Sequence, residues 1–273
     1  MPAEAAVRRC AVVGSPIAHS LSPALHRAAY QHLGLAWQYD RAEVRDGELA
    51  RFVARLDESW CGLSVTMPLK REALKLARSA SPSAMLAGAA NTLVLETGGA
   101  IRAYNTDVNG VISSVRAART EQLGSACVWG AGSTAGSALV ALAAMEVGDV
   151  HLHARSRSRA RSTLFAADRA GLTVRFDKWA VAKDCEQADL VISTVPAGVA
   201  DDLADELAAH AGPGRVLLDV VYDPWPTVLA VAWKQASGSA VSGLDLLVHQ
   251  AVDQVQLMTG QNVPPAVLYS ALP

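Results

Sequence analysis

The chain has 273 residues, with 24 basic and 26 acidic side chains, a formal net charge of -2, and 51% hydrophobic against 18% charged residues. That length makes one large domain or two modest ones, able to bury a core without staples, and the apolar content excludes intrinsic disorder. Near-zero net charge excludes a chain that grips nucleic acid or an acidic membrane over a broad face.

Among the basic residues only Lys70, Lys75, Lys178, Lys183 and Lys234 are lysines, so a chain that otherwise uses arginine invites the question of where it needs Lys. Cys10, Cys61, Cys127 and Cys185 form no C-x-x-C pair and complete no zinc pattern with the histidines. Reduced structural thiols and no metal are expected. His19, His151 and His153 read as packing or surface residues rather than ligands. Met1 to Arg9 carry charges but no long apolar core. Ser137 to Val147, the most apolar helix candidate, is shorter than the roughly 20 residues of a membrane span. A cytoplasmic protein without a leader is expected.

The predicted elements alternate along the chain. Cys10 to Val13 is a short buried strand, and Ser22-Pro23 starts a helix with Ser as N-cap and Pro at the first helical position. Trp37 to Val44 alternates as a strand, Asp46 to Leu56 reads as a helix, and Cys61 to Val65 is a third strand. Lys70 to Arg78 is helical until Ser81-Pro82 stops it. Thr92 to Leu95 and Ile101 to Tyr104 flank Gly98-Gly99 as a hairpin. Asp107 caps a helix running to about Arg119.

Ala126 to Trp129 is then a strand, Gly130-Ala131-Gly132 a tight turn, and Ser133 to Val147 a long apolar helix. Val150 to His153, Leu190 to Thr194 and Val216 to Tyr222 are further strands. Helices are expected over Arg159 to Ala170, Asp202 to His210, Thr227 to Ala236, Leu244 to Met258 and Pro265 to Leu272. Strands alternating with helices argue an α/β protein with mainly parallel sheets.

The strand, turn and helix at Gly130 read G-A-G-S-T-A, covering Gly130, Ala131, Gly132, Ser133, Thr134 and Ala135. The first glycine permits the turn, the second lets backbone approach a pyrophosphate, and the third small residue lets helix and strand pack closely. The phosphates then face a helix N-terminus. The following strand ends in His153-Ala154-Arg155-Ser156, with no carboxylate to bond a ribose 2′-hydroxyl. Arg155 suits a 2′-phosphate, so NADP is expected over NAD. Arg157 and Arg161 read equally well as a solvated helix start.

In the N-terminal half, Ser20 and Ser22 place hydroxyls at a helix start, where an anion can bind. Thr66 and Lys70 follow the third strand, at the carboxyl end of a parallel sheet. Asn91-Thr92 and Asn105-Thr106-Asp107 are polar clusters at element ends. Singly, each is ambiguous: Ser22 and Asp107 could be plain caps, and Lys70 a solvated helix-start residue.

Together the motifs resemble the shikimate dehydrogenase family. They are G-S-P-I-A-H-S-L-S-P from Gly14, S-V-T-M-P-L-K from Ser64, G-A-A-N-T-L from Gly88, N-T-D from Asn105, the Gly130 loop, Y-D-P from Tyr222, and G-L-D-L-L-V-H-Q-A from Gly243. The resemblance implies an N-terminal α/β substrate domain completed by C-terminal helices, at 1–105 and 241–273, and a Rossmann-type NADP-binding domain at 106–240. It implies NADPH-dependent, reversible reduction of 3-dehydroshikimate to shikimate, a step toward chorismate and the aromatic amino acids. Lys70 and Asp107 are then the catalytic pair. Ser20 and Ser22 hold the substrate carboxylate, and Thr66, Asn91, Asp107 and Gln250 its ring hydroxyls, with Tyr222 close by. Gly130 to Ala135, Arg155, Ser156, Arg159, Thr194 and Gly243 belong to the NADP site. A small-molecule substrate is the expected partner, with neither nucleic acid nor membrane, and a homodimer is the assembly to test.

The chain departs from the family at three places. Ala154-Arg155-Ser156 stands where N-R-T is common, with Arg159 as the later basic residue. Loss of that Asn removes a hydrogen bond of about 0.5–1.5 kcal/mol. Ser193-Thr194-Val195-Pro196-Ala197-Gly198 replaces N-A-T-x-x-G, and Met258-Thr259-Gly260 replaces W-T-G. Two other readings stay open: a quinate/shikimate dehydrogenase using NAD, and a non-catalytic, cofactor-binding sensor on the same fold.

Overall fold

The computed structural model describes residues 7–179, 185–186 and 188–272. Lys183 and the first six residues of the leader reading lie outside the described residues. The chain forms two compact units. One takes the described residues up to Thr106 and from Val248 onward, the other Asp107–Leu247. Among the described residues no helix is long and apolar enough to cross a membrane.

The first unit holds β1 (Arg9–Gly14), α1 (Ser22–His32), β2 (Gln38–Glu43), α2 (Leu49–Val53), β3 (Trp60–Val65), α3 (Lys70–Leu76), β4 (Ser79–Ala80), α4 (Pro82–Ala87), β5 (Thr92–Leu95) and β6 (Ile101–Tyr104). Its strands form one sheet in the order β2-β1-β3-β5-β6-β4. The β2, β1 and β3 strands run parallel, while β5 pairs antiparallel with both β3 and β6. Val13, Leu63, Leu93 and Ala103 fill its core.

Two local corrections follow from capping. The helix expected over 46–56 is only five residues long, and its start is held from outside: Glu72 accepts the Leu49 N–H at 2.9 Å and the Gly47 N–H at 3.0 Å. A carboxylate at exposed helical N–H groups is favourable. Ser81-Pro82, expected only to stop a helix, also starts one. The Ser81 hydroxyl caps α4 by accepting the Ala84 N–H, and Gly88 closes it at φ +66°.

The second unit holds α5 (Asp107–Ala118), β7 (Ser125–Trp129), α6 (Ser133–Ala144), β8 (Asp149–Ala154), α7 (Arg157–Arg169), β9 (Arg175–Lys178), β10 (Leu190–Ser193), α8 (Ala204–Ala208), β11 (Val216–Asp219), α9 (Val228–Gln235) and β12 (Ser239–Val241). All its strands are parallel, in the order β12-β11-β10-β7-β8-β9. This is the doubly wound order, with the reversal between β7 and β10. The α6 helix is apolar on almost every face because it is buried from Ala135 to Leu142. Then come α10 (Gly243–Thr259) and α11 (Pro265–Tyr269). The strands missing from the sequence reading, β4, β9 and β12, all lie at sheet edges. Edge strands are short and carry charge or small polar residues, so no apolar run announces them.

Candidate active site

In the first sheet the strand order reverses between β1 and β3, and ligands of open α/β sheets bind outside the carboxyl ends of strands at such a point. Gly14 ends β1 there, and Thr66 follows β3. The Thr66 N–H donates to the Val13 carbonyl at 2.9 Å. A Cβ at Gly14 would overlap Thr66 Cγ2 and lie 2.7 Å from the Met67 carbonyl, so the close approach of the two loops requires glycine. Lys70 opens α3, and its carbonyl accepts the Ala90 N–H at 2.8 Å, which ties the start of that helix to the loop carrying Asn91.

Ser22 is buried and is the first residue of α1 rather than its N-cap; no side chain caps that helix. Its backbone N–H donates to Ser20 Oγ at 3.3 Å. The hydroxyl expected to cap the helix lies one position inside it. Asp107 likewise opens α5 as its first residue, and it is buried.

Asn91, Thr106 and Gln250 come together in the interior. Asn91 Nδ2 donates to Thr106 Oγ1 at 2.8 Å and to Gln250 Oε1 at 3.2 Å. Asn91 Oδ1 accepts from the Thr106 N–H at 2.8 Å and from Thr92 Oγ1 at 2.9 Å. Asn105, next to Thr106, donates to the Ala89 carbonyl at 2.9 Å. The G-A-A-N and N-T-D motifs are thus one hydrogen-bonded structure. Sequence alone shows only two separate polar clusters.

Gln254, Tyr39 and His26, which the sequence reading does not single out, surround this structure together with Ser64, which there only opens a motif. Gln254 Oε1 accepts from Ser64 Oγ at 2.7 Å and from His26 Nε2 at 3.2 Å. His26 stacks on Tyr39 with ring centroids 4.0 Å apart. Burial holds the His26 imidazole neutral, down to about 4, with the Gln254 contact opposing. A signal for Gln254 existed: it lies four residues after Gln250, so both amides share one face of α10.

In the second sheet the reversal falls between β7 and β10, and the glycine loop sits there. Gly130 has φ +117°, and a Cβ on it would overlap Thr194 Oγ1 at the end of β10. Thr194 Oγ1 donates to the Trp129 carbonyl at 2.8 Å, so its hydroxyl shapes this loop. Thr163 Oγ1, from α7, donates to the Ala131 carbonyl at 2.9 Å. Ser133 and Thr134 open α6, Ala135 is fully buried, and Gly132 precedes the helix in extended conformation.

Arg155 follows β8 and is exposed, as is Arg159. Ser156 caps α7 by accepting the Arg159 N–H at 3.4 Å. Arg157 lies over the Phe176 ring and Arg161 over Phe165, so both have aromatic partners. A Cβ at Gly243 would overlap the Val220 carbonyl, so that glycine is required by packing of α10 on the end of β11. Tyr222 follows the same strand; burial, then the neighbouring Asp223, pushes its phenol up.

Among the described residues, two groups of three bring possible cation donors close together. Cys127, His153 and Cys185 bring ligand atoms within 4.8 Å, as do His151, His153 and Asp177. Hydrogen bonding from Cys127 brings the Cys185 thiol down to about 6 against burial, with His153 assisting. Each group has three donors where a structural zinc takes four, and His151 already pairs with Asp177 at 2.7 Å.

Two family models match this chain: the substrate binding domain of shikimate dehydrogenase over residues 12–93, and the shikimate 5'-dehydrogenase C-terminal domain over residues 243–272. A relative named shikimate dehydrogenase (NADP(+)), from Methanothermobacter thermautotrophicus, is 32% identical over 96% of this chain and 94% of its own. The crystal structure of Mycobacterium tuberculosis shikimate dehydrogenase matches with TM-score 0.87 and 43% identity, over 97% of this chain and 98% of that one. The Corynebacterium glutamicum quinate dehydrogenase in complex with NAD also matches, with TM-score 0.87 and 26% identity, over 97% and 98% of the two chains.

Proposed function

The chain belongs to the shikimate dehydrogenase family, and from that premise we propose that it reduces 3-dehydroshikimate to shikimate, reversibly, with NADPH. The observation that carries the reading is the buried Asn91–Thr106–Gln250 cluster, whose loop is tied to Lys70 through the Ala90 N–H. Such a cluster offers a ring bearing several hydroxyls a set of donors and acceptors held in place.

Hydride transfer at a secondary alcohol requires a proton to move to or from its oxygen. Lys70 donates that proton in reduction and takes it back in oxidation, with Asp107 as the second member of the catalytic pair. Ser20 and Ser22 take the carboxylate; Thr66, Asn91, Asp107 and Gln250 take the ring oxygens, with Tyr222 beside them. The Gly130 loop fits a dinucleotide: it turns at φ +117° between β7 and the start of α6, and Gly132 leaves the backbone at that helix start open to approach. NADP(H), when bound, supplies the hydride. Ala131 to Ala135, Thr194 and Gly243 shape or line its site, and Arg155, Ser156 and Arg159 face its 2′-phosphate. The two domains proposed for these tasks are 1–105 with 241–273, and 106–240. Four free, buried cysteines suit a reducing, cytoplasmic setting.

The likeness to an NAD-bound quinate dehydrogenase keeps that enzyme as the second reading. The absence of a carboxylate in the stretch Ala154–Arg159, from the last residue of β8 into α7, favours NADP. Steady-state oxidation of shikimate and quinate with NADP+ and with NAD+ decides. Shikimate with NADP+ is expected to have the highest kcat/KM. A preference for quinate with NAD+ moves the assignment to the second reading, and binding without turnover makes the chain a sensor. Light scattering reads the homodimer.

A further inference from the structure

We propose that Gln254 is a positioning residue that sets which way the Asn91 and Gln250 amides face, a role that rests on the assignment of those two residues to the substrate. Gln254 is 1% exposed, and its amide is saturated. Its oxygen takes the two donors described above. Its nitrogen donates to the Asn91 carbonyl at 3.1 Å and to Thr92 Oγ1 at 3.0 Å.

The donors run in one direction. Tyr39 donates to Ser64 Oγ at 2.6 Å, and Ser64 donates to Gln254 Oε1. Gln254 donates to Thr92, Thr92 to Asn91 Oδ1, and Asn91 to Gln250 Oε1. A tyrosine hydroxyl has one proton and an amide oxygen has none, so each link constrains the next. A flipped Gln254 amide would set N–H against the His26 and Ser64 donors. A flipped Asn91 would lose its acceptor for the Thr106 N–H. Gln250 Oε1 accepts from Asn91 Nδ2 at 3.2 Å and from Thr106 Oγ1 at 3.3 Å, so the direction of the Asn91 amide fixes that of Gln250. Preorganised side chains of this kind remove ordering costs from the moment of binding.

The test is a double-mutant cycle in the full-length enzyme. Gln254→Leu is expected to lower kcat/KM for shikimate about tenfold, mainly through KM, with the KM for NADP+ changed by less than about twofold. In an Asn91→Ala background the same substitution should change kcat/KM by less than about twofold, because its effect passes through Asn91. Additive losses overturn the proposal. Ser64→Ala, which keeps the amide and removes one link, should give a loss of about threefold with the same failure of additivity. A second readout does not depend on turnover: the Asn91 side-chain amide signals in a nitrogen-15 spectrum, identified by their loss in Asn91→Ala. They should shift in both Gln254→Leu and Ser64→Ala, and unmoved signals overturn the proposal. If the parent protein oxidises no shikimate, the functional reading fails while the amide signals still decide the role of Gln254.

Discussion

The two sheets solve the same problem with the same device and then diverge. Each reverses strand order beside its first strand, and each carries at or just past the end of that strand a glycine whose Cβ would run into a threonine from the neighbouring loop: Gly14 with Thr66, Gly130 with Thr194. Past that point the first unit builds with side chains. Asn91, Thr106, Gln250 and Gln254 are buried and bonded to one another. The second unit builds with backbone. Its loop is shaped by Gly130, Gly132, Thr163 and Thr194, and its candidate phosphate groups, Arg155 and Arg159, stand exposed. The contrast follows from the proposed ligands. A small ring with several hydroxyls is told from its relatives only by donors and acceptors at fixed places. A pyrophosphate needs a helix N-terminus and a close backbone, and a long charged side chain reaches a 2′-phosphate from the surface.

Lys70→Ala tests the side-chain half most severely. It should lower kcat about 10²–10⁴-fold with a smaller change in substrate KM, read by steady-state kinetics. Near-normal kcat would leave the first unit without its proton carrier. The buried network should also be pH-sensitive in a way the second unit's loop is not. Folded His26 stays neutral down to about 4 against an ordinary value of 6.5. The unfolded chain therefore binds more protons between those values, and stability present above pH 6.5 is lost as pH falls toward 4. The loss should approach about 3 kcal/mol, read by urea unfolding across that window, and His26→Gln should flatten it.

The backbone half is probed by Gly130→Ala. A side chain at φ +117° against Thr194 should cost about 1–3 kcal/mol, seen as weaker NADP+ binding and a lower Tm, with the shikimate KM little changed. The mildest test is Arg155→Ala. It should weaken NADP+ about tenfold more than NAD+, since a hydrogen bond to a charged group is worth about 1.5–3 kcal/mol and this one is exposed. Equal loss for both cofactors would place the 2′-phosphate elsewhere.

The sequence by itself determined the alternation of strands and helices, the glycine turn at 130, the hairpin around Gly98-Gly99, and the residue types that mark the site. Those signals are local: an apolar run, a turn glycine or a short motif carries its meaning within a few residues. The tertiary structure decided three things that local signals could not carry. Edge strands β4, β9 and β12 exist because a neighbour offers hydrogen bonds, not because their residues demand it. Ser22, readable as a cap, is instead the buried first residue of α1. Gln254, invisible as a motif, sits 163 residues from the Asn91 carbonyl it donates to. Buried polar groups must be satisfied by whatever the fold brings beside them. The partners of Asn91 were therefore settled when the C-terminal helix packed onto the first sheet.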